Sequence, residues 1–332
     1  MRALLSLLLL GAAGAAEPPA DPQAPAPAAV ATAQPQPQPT DPGFALGFAA
    51  DSWERMTVPV TIQGKGPYRF VVDTGAERTV IARDLAETLK LAPSGVARVH
   101  SMTDMSMIGT VSIPSLTVGG RQVKDIRAPA LEKRNLGAEG MLGVDSLQTQ
   151  RVSFDFPRQV MTVVNSRKIE ESWAADAIVV TGRSLFGHLV LVDASIDGQK
   201  VWVIVDTGTQ ATVGNNALRR RLERRNRLGA LRPVEMLSVT GGRMMAEQTF
   251  VQHFQVGGAF VNNMPIAFAD AHPFKQLGLL DRPALLLGMD VLKLFERVSV
   301  DFPNRRVRLL LPGRSDGLAP PRLAGGQERQ VS

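Results

Sequence analysis

FVVDTGAERTVIA, Phe70 to Ala82, carries an apolar, β-branched run into an aspartate, followed by a Thr and a Gly. An unpaired carboxylate at the end of such a run is costly to bury, so the chain should hold something that partners Asp73. It does. VWVIVDTGTQATVGNN, Val201 to Asn216, repeats the pattern around Asp206, Thr207 and Gly208. One D-T-G is a weak signal, because chance supplies about 0.1 such tripeptides in a chain of this length. Two in matching surroundings mark a duplication.

The surroundings recur in order. Upstream of each Asp lies a strand and a short Gly-containing turn, MTVPVTIQGKGPYRF in the first half and LVLVDASIDGQKVWV in the second. Downstream, SLTVGGRQVKDIRAPALE (Ser115 to Glu132) matches HFQVGGAFVNNMPIAFAD (His253 to Asp270), each reading as a hairpin with a Gly-Gly turn. GMLGVDSL (Gly140 to Leu147) then matches LLLGMDVL (Leu285 to Leu292), and RVSFDFPRQVMTV (Arg151 to Val163) matches RVSVDFPNRRVRLL (Arg297 to Leu310). Short helices are expected at Ala82 to Leu91, at Ala217 to Leu228, and just after each Gly-x-Asp-x-Leu. The rest alternates in strand fashion, so the class is mainly β. Two similar halves dock much as a symmetric dimer does, giving a bilobal molecule with a pseudo-twofold axis.

Such an axis brings Asp73 and Asp206 face to face from the tips of equivalent strands. Two carboxylates a few ångströms apart cannot both ionise cheaply, so they share a proton and titrate as a pair. The ionised member then takes a proton from a water while the protonated member donates to a carbonyl oxygen. No metal or other cofactor is needed. The chain has no Cys, its histidines (His100, His188, His253, His272) lack metal-ligand spacing, and it contains no Lys-bearing P-loop. Gly75 and Gly208 let the backbone pass close to the opposite carboxylate, and the hydroxyls of Thr74 and Thr207 can bond across the axis. After the Gly comes Ala76 in one loop and Thr209 in the other. A hydroxyl at 209 can donate to Asp206 and stabilise its charge, so Asp73 is expected to be the member more often protonated.

The D-T-G loops, the apolar-apolar-Gly segments Met141 to Gly143 and Leu286 to Gly288, and the strand-rich halves resemble the aspartic proteases, retropepsin-like bacterial members above all. DTGAERTVI, with Ala76 after the Gly and Thr79 beyond, is similar to the retroviral-type loop; two loops in one chain look more like the pepsin arrangement. The resemblance covers roughly Phe44 to Pro312. It implies catalytic roles for Asp73 and Asp206, an interlocking contact between Thr74 and Thr207, and a complete site in one monomer. It also implies a β-hairpin flap. Two stretches are candidates for one flap or for two, His100 to Ser112 (with Met105 and Met107) and Ser238 to Thr249 (with Gly241, Gly242 and Met244), and these five residues are the candidates for substrate contact. Asp145 and Asp290, two residues past the later Gly, are a departure from the retroviral pattern and are expected to N-cap the following helices.

The remaining sequence sets the context. MRALLSLLLLGAAGAA, residues 1–16, has the basic start, apolar run and small-residue end of an export signal, with Ala16 the last residue removed; a retained anchor is the alternative. Residues 17–42 are Pro, Ala and Gln and read as an extended spacer; residues 313–332 read as a disordered tail. The folded halves are then 43–168 and 169–312. Export without disulfides fits a bacterial periplasmic or secreted protein. Net charge is +6, with much of the excess in ALRRRLERRNRL, Ala217 to Leu228, a solvated helix face or a contact for an anionic membrane surface. No aromatic stacking surface accompanies it, so nucleic acid is not an expected partner. The whole reads as an exported aspartic endopeptidase acting on peptides or proteins, with a catalytically inactive peptide-binding or scaffolding module on the same fold as the alternative.

Overall fold

Both halves start from the same turn. Gln63 and Gly64 (φ 50° and 75°), and again Asp197 and Gly198 (φ 46° and 77°), sit in the left-handed region, the conformation a two-residue hairpin turn needs to match strand twist. The turns join Met56–Ile62 to Lys65–Val72 in the first half, and Ala194–Ile196 to Gln199–Lys200 and Trp202–Val205 in the second. The structure, a computed structural model, describes residues 44–47, 49–50, 55–118, 121–147, 149–167, 177–185, 188–313 and 323–324, all within one compact unit, Pro42–Ser332. The export signal and the Pro-rich spacer lie outside the described residues. Of the tail read as disordered, Leu323–Ala324 is described as a strand parallel to Val261–Asn262.

Strand pairing closes a barrel in the first half. Met56–Ile62 pairs with Lys65–Val72, and the circuit continues through Gly140–Leu142, Val80–Ala82, Arg121–Leu131 and Met105–Val118 back to Met56–Ile62. The second half repeats it. Trp202–Val205, Ala284–Leu287, Val213–Gly214, Ala259–Phe268 and Arg243–Val256 follow in the same order. Its first strand is broken into His188–Leu191 and Ala194–Ile196, which pair with the two ends of that series. The predicted hairpins at the Gly-Gly turns are both present, closing at Val118 with Arg121 and at Val256 with Ala259.

The pseudo-twofold runs through a six-stranded sheet that both halves share. Phe44–Gly47, Val160–Asn165 and Gln150–Asp155 face Arg297–Asp301, Arg306–Leu310 and Ile178–Leu185. At its centre the equivalent serines Ser153 and Ser299 are register partners, joined by a 2.9 Å hydrogen bond. On either side the equivalent pairs Arg151–Asp301 (3.9 Å) and Arg297–Asp155 (2.9 Å) cross the axis. The repeated RVSxDF motif is therefore the seam between halves. Phe70, Phe154, Phe254, Phe274 and Phe295 are fully buried within the lobes and the seam.

Helices are short, as expected, with two corrections. Arg83–Thr88 falls inside its predicted window, and Asn216–Arg224 begins one residue before the window predicted from Ala217. The helical turns near each Gly-x-Asp begin on that motif, at Val144–Ser146 and Met289–Leu292, rather than after it. In Asn216–Arg224, Ala217, Leu218 and Leu222 are buried while Arg219 pairs with Glu223 and Glu247. Arg220, Arg221, Arg224, Arg225 and Arg227 face solvent. Among the described residues no helix is long and apolar enough to cross a membrane.

Candidate active site

Each D-T-G loop hangs from the end of a barrel strand and is held by the strand beside it: Asp73 N–H donates to the Leu142 carbonyl (3.0 Å) and Asp206 N–H to the Leu287 carbonyl (3.1 Å). The two loops lock reciprocally. Thr74 N–H donates to Thr207 Oγ1 (3.0 Å) and Thr207 N–H to Thr74 Oγ1 (3.1 Å), while the two hydroxyls donate to the carbonyls of Val205 (2.9 Å) and Val72 (2.7 Å). Every hydroxyl and amide of these buried threonines is spent across the axis, which fixes one loop against the other.

The lock presents the carboxylates to each other. Gly75 N–H donates to Asp73 Oδ1 (2.8 Å) and Gly208 N–H to Asp206 Oδ1 (3.0 Å). A Cβ on Gly75 would lie 2.6 Å from the Asp206 carboxyl carbon, and one on Gly208 would lie 2.1 Å from that of Asp73. No other residue fits so close an approach. Each glycine thus rests on the opposite carboxyl group, which sets the two carboxyls close together across the axis. Burial, then the neighbouring Asp206 charge, pushes Asp73 up from an ordinary carboxyl value to about 8, against the pull of Gly75 N–H and of Arg55. The hydroxyl expected to distinguish the halves is in place, with Thr209 Oγ1 donating to Asp206 Oδ2 at 2.9 Å.

Two supports were misread or missed in the sequence. Asp145 and Asp290 do not N-cap the following turns; Gly143 and Gly288 occupy those positions without side-chain caps. The carboxylates reach back to the D-T-G loops instead. Asp145 accepts from Thr79 N–H (2.9 Å) and Oγ1 (2.8 Å), and Asp290 accepts from Thr212 N–H (2.9 Å) and Oγ1 (2.6 Å). Arg55, just before the first barrel strand, is buried and sends its guanidinium to the carbonyls of Leu136 and, across the axis, Gly208. Strand register makes His188 its counterpart, since Val58 opposite Phe70 corresponds to Leu191 opposite Val203. A basic residue at the same place in both repeats was the signal available in the sequence.

A cleft of about 560 Å³ opens over the two aspartates, lined from both lobes. Two hairpins overhang it: Pro93–His100 paired with Met105–Val118, and Arg232–Leu237 paired with Arg243–Val256. Their tips touch, with Thr240 Oγ1 donating to Ser101 Oγ (3.1 Å) and Gly242 packed on Thr103. The first tip also crosses to the second lobe. His272 N–H donates to the Met102 carbonyl (2.9 Å), and the His100 and His272 rings stack with Nδ1 and Nε2 2.7 Å apart. These two histidines, scattered in sequence, meet in space.

The five proposed contact residues are not on the cleft wall. Met105 and Met107 are exposed, and Met244 packs into the second lobe. Gly241 (φ 89°) and Gly242 form the tip. The methionines that line the cleft are Met102, Met141 and Met236. Strand parity does not decide this, since Met105, Met107 and Met244 are the register partners of His100, Arg98 and Met236, which do line the cleft. Among the described residues no cluster of three or more His, Cys, Asp or Glu has the arrangement to hold a metal.

A sequence model of the family described as aspartyl protease matches residues 58–146 and 192–291, one match on each lobe and each including one D-T-G loop. No curated protein matches the chain.

Proposed function

Because the chain belongs to the aspartyl protease family, we propose that it is an aspartic endopeptidase that hydrolyses peptide bonds between Asp73 and Asp206. The observation that carries this is the closely opposed carboxyl pair held across the pseudo-twofold by the Thr74–Thr207 lock. The raised value of Asp73 together with the Thr209 hydroxyl on Asp206 supports placing the pair's shared proton on Asp73. Asp206 then removes a proton from a water lying between the carboxyls, and the water oxygen attacks the scissile carbonyl. Asp73 donates its proton to the carbonyl oxygen as the tetrahedral diol forms. Collapse of the diol breaks the C–N bond as a carboxyl returns a proton to the leaving amine.

Both loops come from one chain, which supports a monomer as the active unit. The overhanging hairpins support an extended peptide as substrate, and the first 16 residues support export. A peptide library cleaved across pH by wild type, Asp73→Asn and Asp206→Asn tests the reading. Cleavage by wild type alone is expected. Peptide binding without cleavage by any of the three would assign the fold to a binding module.

A further inference from the structure

Charges lining the cleft are matched on one lobe and left over on the other. The two aspartates share a proton, and the buried Arg55 beside them is spent on the carbonyls of Leu136 and Gly208. Glu77 accepts from Gln276 (3.1 Å) and faces His188 (3.7 Å). Glu235 pairs with Arg243 at 2.6 Å. Two cleft-lining cations are left. Arg78 and Arg98 are both exposed, and among the described residues neither side chain has a hydrogen bond or an ion pair.

Their placement is specific. Arg78 lies on the floor, five residues past Asp73. Its backbone rests on Gly143, where a Cβ would come within 2.4 Å, so the residue's Cα is fixed relative to the catalytic loop. Arg98 lies in the overhanging hairpin, opposite Met107. Floor and roof of the first lobe thus each carry an unpaired guanidinium.

The second lobe carries neither. Gly288 rests on Ala211 as Gly143 rests on Arg78, which makes Ala211 the counterpart of Arg78. Glu235 lies opposite Met245, and Met245 precedes its hairpin turn by the same interval as Met107 does, so Glu235 corresponds to Arg98. An arginine is thus replaced by an alanine on the floor and by a neutralised glutamate on the roof. A peptide has a direction, and a cleft with positive charge at one end only reads that direction.

We propose that Arg78 and Arg98 are specificity determinants that seat an acidic side chain of the substrate on the first-lobe side of the scissile bond, while the second-lobe side takes neutral or apolar residues. This rests on the endopeptidase reading for its consequence in cleavage, but not for its consequence in binding. A guanidinium binds a carboxylate through charge-assisted hydrogen bonds in a fork geometry, which separates Glu from the isosteric Gln. Solvent screening at an exposed cleft leaves a discrimination of about tenfold.

The test scans Glu against Gln, one position at a time, across three residues on either side of the scissile bond of an otherwise neutral peptide. Wild type is expected to favour Glu about tenfold in kcat/KM at a position on one side only, with the preference falling as salt rises. In Arg78→Gln/Arg98→Gln the Glu:Gln ratio falls to about one, and in Arg78→Glu/Arg98→Glu a Lys peptide gains over its Gln counterpart. The same peptides are titrated by fluorescence anisotropy against Asp206→Asn, where the Glu preference should appear in Kd. Cleavage without a Glu preference, or a preference that survives Arg78→Gln/Arg98→Gln, overturns the inference and leaves the protease reading standing. A Glu preference in Kd with no cleavage by wild type upholds the inference and removes the protease reading.

Discussion

Thr209→Ala deletes the one hydroxyl that distinguishes the two catalytic loops. Thr209 Oγ1 donates to Asp206 Oδ2 at 2.9 Å, and Ala76 in the other loop offers no equivalent. A hydrogen bond to a charged group contributes about 1.5–3 kcal/mol, and one pKa unit corresponds to about 1.36 kcal/mol. Thr209 is half-buried, so water replaces part of what is lost and the lower end of that range applies. The bond favours the ionised pair over the doubly protonated one. Its loss therefore raises the first ionisation of the dyad, and the acid limb of kcat/KM against pH moves up by about one unit. The reciprocal variant Ala76→Thr places a hydroxyl beside Asp73 and should move the alkaline limb down, since that limb reports loss of the proton held there. The assay is kcat/KM on one neutral fluorogenic peptide from pH 2 to pH 10, in buffers of constant ionic strength. An unchanged acid limb in Thr209→Ala, or one moved to lower pH, refutes the assignment of the negative charge to Asp206.

Other expectations rest on separate contacts. The folded chain keeps a proton on Asp73 up to about pH 8, whereas an unfolded carboxyl loses it near pH 4. This component of stability is therefore fully present below about pH 4 and is lost as pH rises to about 8. Asp73→Asn removes it, so thermal melts should show the variant gaining on wild type as pH rises; a gap that does not change with pH contradicts this. Burial, His100 and Lys275 hold His272 below the usual imidazole range, with Asp104 opposing. The neutral His272 ring shares a hydrogen bond with His100, so charging His272 on acidification weakens this contact and frees the first hairpin. Hydrogen exchange around Met102 should accelerate relative to the intrinsic rate as pH falls below the usual imidazole range, and protection that stays unchanged down to the acid limit of folding speaks against such a latch. Asn215 is fully buried and bonds Leu218 N–H, Ala284 N–H and the carbonyls of Leu279 and Arg282. Asn215→Ala should cost about 3 kcal/mol in denaturant unfolding, and a loss below 1 kcal/mol would show that these bonds are replaced.

The architecture was legible because it is written twice. A strand, a turn and a D-T-G carry little information alone, but four blocks repeated in order specify two lobes, and the RVSxDF repeat became the seam between them. What stayed hidden depends on contacts between residues far apart in sequence. An Asp two residues past a Gly looks the same whether it caps its own helix or reaches Thr79, 66 residues back. Arg55 looks like an ordinary charge at a strand entrance until the fold delivers the carbonyls of Leu136 and Gly208, 81 and 153 residues away. The hairpins were found, yet their cleft-facing residues were not. Met105 and Met107 stay exposed although their register partners His100 and Arg98 line the cleft, and the tip turn puts Met102 there as well.

The central claim is that Asp73 and Asp206 act as one catalytic pair, and the most direct measurement is the kcat/KM of Asp73→Asn and Asp206→Asn beside wild type on the same peptide. Both variants should fold, since Asn keeps the size of Asp and still accepts the Gly75 or Gly208 N–H. The account predicts that each loses at least about 10³-fold in kcat/KM and that Asp73→Asn/Asp206→Asn loses no more than either alone, as residues acting as a unit do. Substantial cleavage by either single variant, or losses that multiply in the double variant, would contradict it.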